Sequence, residues 1–217
     1  MTTLTWWGHA CVQLERGGAR LVIDPGTFSD LSVLDAADAV LVTHEHPDHV
    51  AVDPLRTALA TRSHLEVWAA PAVVDLLDGA GGAAGRVHAV HGGDAFTAAG
   101  FEVTALGEWH ELVHPDVPRV PNVAYLVDGA VLHPGDSFTL PPSMTSVDVL
   151  LAPVGGPWLK LAEVIDYVRA VHPRLVVPIH DAPLSDIGRA LADRLLTSLG
   201  GSPEYRRLAG GDELVLG

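Results

Sequence analysis

A short apolar run, Ala39-Val-Leu-Val-Thr43, leads directly into His44-Glu45-His46-Pro47-Asp48-His49. A continuous aliphatic run of this length reads as a strand covered on both faces. The chain must therefore layer structure on either side of it and deliver a polar cluster at its end. Four potential metal ligands occur within six residues. In an extended segment residues two apart point the same way, so His44 and His46 can share one ion. Pro47 pushes His46 toward an extended conformation, which supports that geometry. Asp48 and His49 then fall where the chain turns and can face a second ion. The helical HExxH pattern fails, because position 48 is Asp and Pro47 breaks a helix. A solvated loop of ordinary surface histidines is the plainer alternative, but three histidines and an aspartate at one strand end speak against it.

The rest of the chain alternates strands and helices. Strands are expected over 4–7, 11–15 and 20–24, with Gly17-Gly18 as a hairpin turn. Asp53-Pro54 resembles an N-cap followed by proline at the first helical position, opening a helix over 54–61. A strand over 64–69 and a helix over 71–77 follow, then a glycine-alanine loop over 79–85. Further strands are expected near 87–90, 101–106, 123–127, 130–133, 147–152 and 175–179. Helices are expected over 159–171 and 183–199, and the chain closes in strands over 204–206 and 213–216. No repeat or linker interrupts it, so residues 1–217 read as one domain. Many strands with interspersed helices argue for a layered α/β protein, and the strand-rich early half fits a doubly wound parallel sheet poorly. The Gly79–Gly85 stretch superficially matches a dinucleotide fingerprint, but it follows a helix and leads into a strand, the reverse of what that motif needs.

Composition narrows the function classes. At 48% hydrophobic and 18% charged residues, disorder is excluded. A formal net charge of −14 repels phosphate backbones and anionic membranes, which disfavours nucleic-acid partners. One cysteine, Cys11, forbids an internal disulfide and any cysteine-based zinc site, and on its predicted strand it reads as core filler. The first residues lack the basic and apolar regions of a secretory signal, and no apolar run approaches the ~20 residues of a membrane span. The expectation is a soluble, cytoplasmic protein with a small-molecule substrate, its oligomeric state open to a homo-oligomer.

A catalytic metal site needs more ligands than one loop provides. Among the 12 histidines, His110 follows FEVTALG and His180 follows LVVPI, while Asp136 follows AVLHPG. Each lies just past a buried run, and together they would complete two ions of roughly three protein ligands each. The pattern His44-x-His46-x-Asp48-His49, then His110, Asp136 and His180, resembles the metallo-β-lactamase fold superfamily of dinuclear hydrolases. The flanking segments TWWGHACVQL, LVIDPG, HPGDS and VPIH are similar to the small single-domain branch that includes the L-ascorbate-6-phosphate lactonase-like proteins. The resemblance covers essentially the whole chain. It is specific for fold and metal, and much less so for substrate.

That resemblance implies a four-layer αββα sandwich, two mixed sheets with helices on the outer faces. It implies that His44, His46 and His110 hold a first metal, that Asp48, His49 and His180 hold a second, and that Asp136 bridges both. A nitrogen-rich set without thiolate suits zinc by default, with manganese or iron as alternatives. The implied nucleophile is a metal-bridged hydroxide, with Asp48 as a catalytic residue orienting it, acting on a lactone, ester or phosphodiester. His114 is the candidate proton donor to the leaving group; His110 rather than His114 is the expected ligand because it directly ends the strand. Asp24 is expected to support the metal loop from behind. His9 reads either as approaching the site or as structural, and His64, His88, His91, His133 and His172 as structural or exposed. Arg119 is a thin candidate for an anionic group, and Trp109 and Trp158 could wall the mouth or belong to the core.

Several relatives of that fold fit poorly. Exported β-lactamases lack the bridging aspartate. Glyoxalase II-like enzymes carry a further helical domain, for which little chain follows His180. RNA-processing members carry long insertions or basic exosites, and flavodiiron proteins replace the second histidine of the motif with glutamate. Two other readings stay open: a mononuclear iron dioxygenase of the same fold, which would not need Asp48, His49 and His180, and a non-catalytic metal-binding domain.

Overall fold

Three antiparallel strands open the chain, β1 (Thr2–Gly8), β2 (Cys11–Arg16) and β3 (Ala19–Ile23). The computed structural model describes residues 1–78, 85–143 and 145–216. A 3-10 turn (Leu31–Ala36) leads to β4 (Ala39–Val42), α1 (Val52–Thr61), β5 (Glu66–Ala69), α2 (Pro71–Leu77) and β6 (Val87–Ala89). Then come β7 (Ala95–Ala98), β8 (Phe101–Leu106), β9 (Ala124–Val127), β10 (Val131–His133) and β11 (Val149–Pro153). The last elements are α3 (Leu161–Val171), β12 (Leu175–Ile179), α4 (Asp186–Leu199), β13 (Glu204–Tyr205) and β14 (Glu213–Leu216).

The strands form two seven-stranded sheets, ordered β14-β1-β2-β3-β4-β5-β6 and β13-β12-β11-β10-β9-β8-β7. Both are mixed in the same way. In the first, β14 to β3 pair antiparallel and β3 to β6 parallel; in the second, β7 to β10 pair antiparallel and β10 to β13 parallel.

The period-2 alternation of strands explains the apolar runs. In β4, Ala39 and Leu41 enter the core between the sheets, while Val40 and Val42 pack under α1 and α2 with Leu55, Leu59 and Val73. In β11, Val149 and Leu151 face the other sheet, and Leu150 and Ala152 pack under α3 and α4 with Val164, Val168 and Leu196. Each run is buried on both faces because each sheet is sandwiched between the other sheet and its own helices. The order is helix, sheet, sheet, helix, as expected. Cys11 lies in the outer core of the first sheet at 0% exposure, the filler role its sequence context suggests.

Element ends differ in places from the reading of the sequence. The helix expected from Asp53 begins at Val52 with Ala51 as its cap and no side-chain cap bond, so Asp53 sits inside the first turn, where its charge favours the helix dipole. The Ala51 N–H instead bonds the Pro25 carbonyl at 2.9 Å, which ties this helix start to the loop after β3. Ser185 caps α4 by accepting from the Gly188 N–H, so that helix starts later than expected. The 3-10 turn and the edge strand β7 carry no clear periodicity, so the sequence pattern gives no sign of either. The glycine-alanine loop at 79–84 lies outside the described residues. Among the described residues no helix is long and apolar enough to cross a membrane.

Candidate metal centre

The loops that follow β3, β4, β8, β10 and β12 meet at one end of the sandwich. Asp24 directly follows β3 in a left-handed conformation at φ 52° and is fully buried. Its carboxylate accepts from the Thr43 N–H at 2.8 Å, the Thr43 hydroxyl at 2.8 Å and His49 Nδ1 at 2.7 Å. Because the Thr43 hydroxyl donates to Asp24, it accepts from His44 Nδ1 at 3.0 Å. Two histidines of the 44–49 loop, His44 and His49, are thereby oriented through one buried carboxylate.

The more distant histidines are oriented the same way. His110 Nδ1 donates to the Glu111 carbonyl at 2.5 Å, and His180 Nδ1 donates to the Gly155 carbonyl. With Nδ1 protonated, the lone pair of each ring is left on Nε2. Asp136 is held by its N–H to the Asn122 side-chain oxygen at 3.0 Å, and the Asn122 amide donates to the Pro134 carbonyl at 2.9 Å. Gly135 makes this turn at φ 61°, and a Cβ there would lie 2.3 Å from the Asn122 oxygen.

The inward-facing atoms fall into two groups, each with one ligand atom per residue and all within 4.8 Å of one another. One group is His44, His46, His110 and Asp136; the other is His9, Asp48, His49 and His180. Asp136 stands between them, with Oδ2 3.2 Å from His110 Nε2 and 3.1 Å from His180 Nε2, and Oδ1 3.1 Å from His49 Nε2. His49 Nε2, His180 Nε2 and Asp136 Oδ1 are buried without any hydrogen-bond partner. Buried polar atoms that face one another unbonded are expensive unless a further group satisfies them. Nitrogen and carboxylate donors converging this closely fit divalent metal ions.

The electrostatics agree. Burial opposes ionisation of Asp136, yet the charge on His49 and the close approach of the His110, His180 and His49 imidazoles outweigh it and hold the carboxyl well below its ordinary range. Burial likewise opposes the charge on Asp48, and the nearby His180 imidazole together with a hydrogen bond from His9 reverses that. Burial lowers His44 and His46, which favours the neutral imidazole, the form able to bind an ion. His49 and His180 are lowered by burial but raised more by carboxylates, Asp136 and Asp24 around His49, Asp136 and Asp48 around His180, which is pushed up to about 9.

All seven expected ligands are brought together. His114 is not: its side chain is 63% exposed, and it pairs with Asp116. Arg119 donates to the His110 carbonyl and braces that loop. His133 is fully buried and donates to the Ala10 carbonyl at 2.8 Å, a structural role. His9, which the sequence left between two readings, lies in the second group; its only local signal is the turn-forming Gly8-His9 pair after a strand. Trp158 is buried at 8% exposure, its ring edge-on to those of His110 and His180 at 5.6 and 6.0 Å. Trp109 is 41% exposed.

Residues 3–180 match the family model described as Beta-lactamase superfamily domain. The chain is 39% identical over 202 residues to Protein Rv0786c of Mycobacterium tuberculosis, covering 90% of this chain and 92% of that one. It is 27% identical over 204 residues to the UPF0173 metal-dependent hydrolase MK1542 of Methanopyrus kandleri, covering 82% and 83% of the two chains. In structure it is similar to Igni18, a metallo hydrolase of Ignicoccus hospitalis, with a TM-score of 0.71 and 21% identity over 98% of this chain and 97% of that one.

Proposed function

Because this chain belongs to the beta-lactamase superfamily, we propose that it is a metal-dependent hydrolase whose whole length, 1–217, acts as one domain around two divalent ions. His44, His46 and His110 would hold the first ion and Asp48, His49 and His180 the second, with Asp136 shared. The observation that carries this reading is the Asp136 carboxylate, whose two oxygens face histidines of both groups within 3.2 Å. The name of the Methanopyrus relative supports the hydrolase class. A thiolate-free nitrogen and oxygen set favours zinc, with manganese or iron as substitutes.

Bound there, divalent ions supply a water activated for attack near neutral pH and polarise the scissile oxygen. The protein's own residues supply geometry and proton handling. Asp48, with 23% of its side chain exposed, is the carboxylate at the solvent side of the cluster, placed to orient the attacking water. Asp24 and the carbonyls of Glu111 and Gly155 fix the ring orientations, so little reorganisation remains at the moment of reaction. His114, exposed and paired with Asp116, is left outside the reaction.

A groove of about 590 Å³ lies beside the centre at Trp158, walled by Leu112, Val113, Phe138 and Trp158 and by the charged Glu111, Lys160 and Glu163. Its one cation, Lys160, is already bonded to Glu163 at 3.2 Å. With two carboxylates and no unpaired cation in that lining, an uncharged lactone or ester fits it better than an anionic phosphodiester.

Elemental analysis of the purified protein and of Asp136→Ala tests the centre. Two divalent ions per chain, reduced in the variant, support the reading; a single iron indifferent to Asp136 sinks it and favours the dioxygenase. A panel of lactones, alkyl esters and phosphodiesters then tests the substrate class, with turnover confined to the phosphodiesters as the result that overturns it.

A further inference from the structure

Of the residues in the second group, His49 and His180 each have an Nδ1 anchored by a buried acceptor, Asp24 and the Gly155 carbonyl. Asp48 has no such backing from its own loop, and it is the member most open to water, at 23% against 0% for His49 and 4% for His180. A carboxylate on a loop facing solvent needs a donor to keep it turned inward.

His9 is built to be that donor. It turns the chain between β1 and β2 at φ 51° and is 2% exposed. Its carbonyl accepts from the His180 N–H at 3.0 Å and from Trp6 Nε1 at 3.1 Å, which pins its backbone to the strand end carrying His180. Its Nδ1 accepts from the Ala182 N–H at 3.3 Å, and its Nε2 lies 3.1 Å from Asp48 Oδ2. A neutral imidazole has one ring hydrogen. With Nδ1 accepting from a backbone amide, that hydrogen sits on Nε2 and is donated to Asp48. The ring then has no lone pair left for an ion, although Nε2 lies within 4.8 Å of the ligand atoms of Asp48, His49 and His180.

We propose that His9 is a positioning residue, not a ligand: its Nε2–H holds the Asp48 carboxylate toward His49 and His180 and so completes the second metal position. The inference rests on the two-ion reading above. It assigns each of the three ligands of that position one partner that orients it, two from carboxylate or carbonyl acceptors and one from an imidazole donor.

The test is calorimetric titration of chelator-stripped protein with zinc, comparing the native chain, His9→Leu and His9→Gln, with circular dichroism as the check on folding. Glutamine can carry an amide N–H to the place of Nε2, whereas leucine cannot, and both accept the same left-handed backbone strain. Two binding steps are expected in the native protein. In His9→Leu one step should weaken by about 10- to 100-fold while the other is retained, and His9→Gln should recover most of the loss. Equal loss in both variants makes the ring itself a ligand and overturns the proposal. Full retention of both steps in His9→Leu makes His9 merely structural and also overturns it. A native protein with only one step instead overturns the two-ion reading on which the proposal stands.

Discussion

Asp24 is fully buried and belongs to neither group of converging atoms, yet three donors end on its carboxylate. Asp24→Ala should strand the His49 ring N–H and the Thr43 amide and hydroxyl, costing about 3 to 5 kcal/mol in denaturant unfolding. The same variant should bind metal about 10- to 100-fold more weakly in titration. Protonation gives a second prediction at this scale. His180 is pushed up to about 9 by Asp136 and Asp48 despite its burial. Its contribution to the metal-free fold is therefore complete below its unfolded value and fades as pH rises through about 9. The metal-free protein should melt at lower temperature at pH 9.5 than at pH 6.5. Because a bound ion must displace that proton, metal uptake at neutral pH should release protons, measurable as a buffer-dependent heat, and affinity should climb with pH up to about 9.

At the scale of elements, the 44–49 loop is shaped by the loop after β3 as much as by its own sequence. The Thr27 N–H bonds the Pro47 carbonyl at 2.8 Å, and the Ala51 N–H bonds the Pro25 carbonyl at 2.9 Å. Between these ties Gly26 lies so close that an added Cβ would fall 1.8 Å from the Asp48 carbonyl oxygen. Gly26→Ala must therefore push the two loops apart. The expected outcome is a loss of about 1 to 3 kcal/mol in stability, with weakened metal uptake because Asp48 and His49 move together. Retained affinity in the variant would mean that the loops are not mechanically coupled. A local sequence reading could not supply this contact, since a glycine after Asp-Pro reads equally well as an ordinary turn.

At the scale of the molecule, Tyr125 supplies one of the polar contacts that join the two sheets beneath the centre, alongside His133 with the Ala10 carbonyl and the Val123 N–H with the Thr43 carbonyl. Tyr125 of β9 is fully buried and donates its hydroxyl to the Val42 carbonyl of β4 at 3.0 Å. Tyr125→Phe should cost about 1 to 2 kcal/mol, read by denaturant unfolding, and leave metal stoichiometry unchanged because no ligand moves. Much of this architecture was legible beforehand: β4, β11 and β12 announce themselves as doubly covered strands, and His44, His46, Asp48 and His49 declare their chemistry by sitting at the end of one. The alternation of side chains along a strand and the reach of a two-residue spacing are local properties, so the residue pattern by itself determined a layered α/β class, the cluster and the strand-end positions of His110, Asp136 and His180, while the four-layer αββα order was implied only by the family resemblance. What only the tertiary structure decided are relations between segments far apart in the chain. The His9 side chain meets Asp48 because β1 and β2 stack beside the end of β12. His114 stays in solvent although it lies only a few residues beyond His110. Asp136 faces both groups because Asn122 holds the turn before it. Local pattern fixes which face of an element a residue occupies, but which distant face it meets depends on how the two sheets stack, and that follows from packing of the whole core.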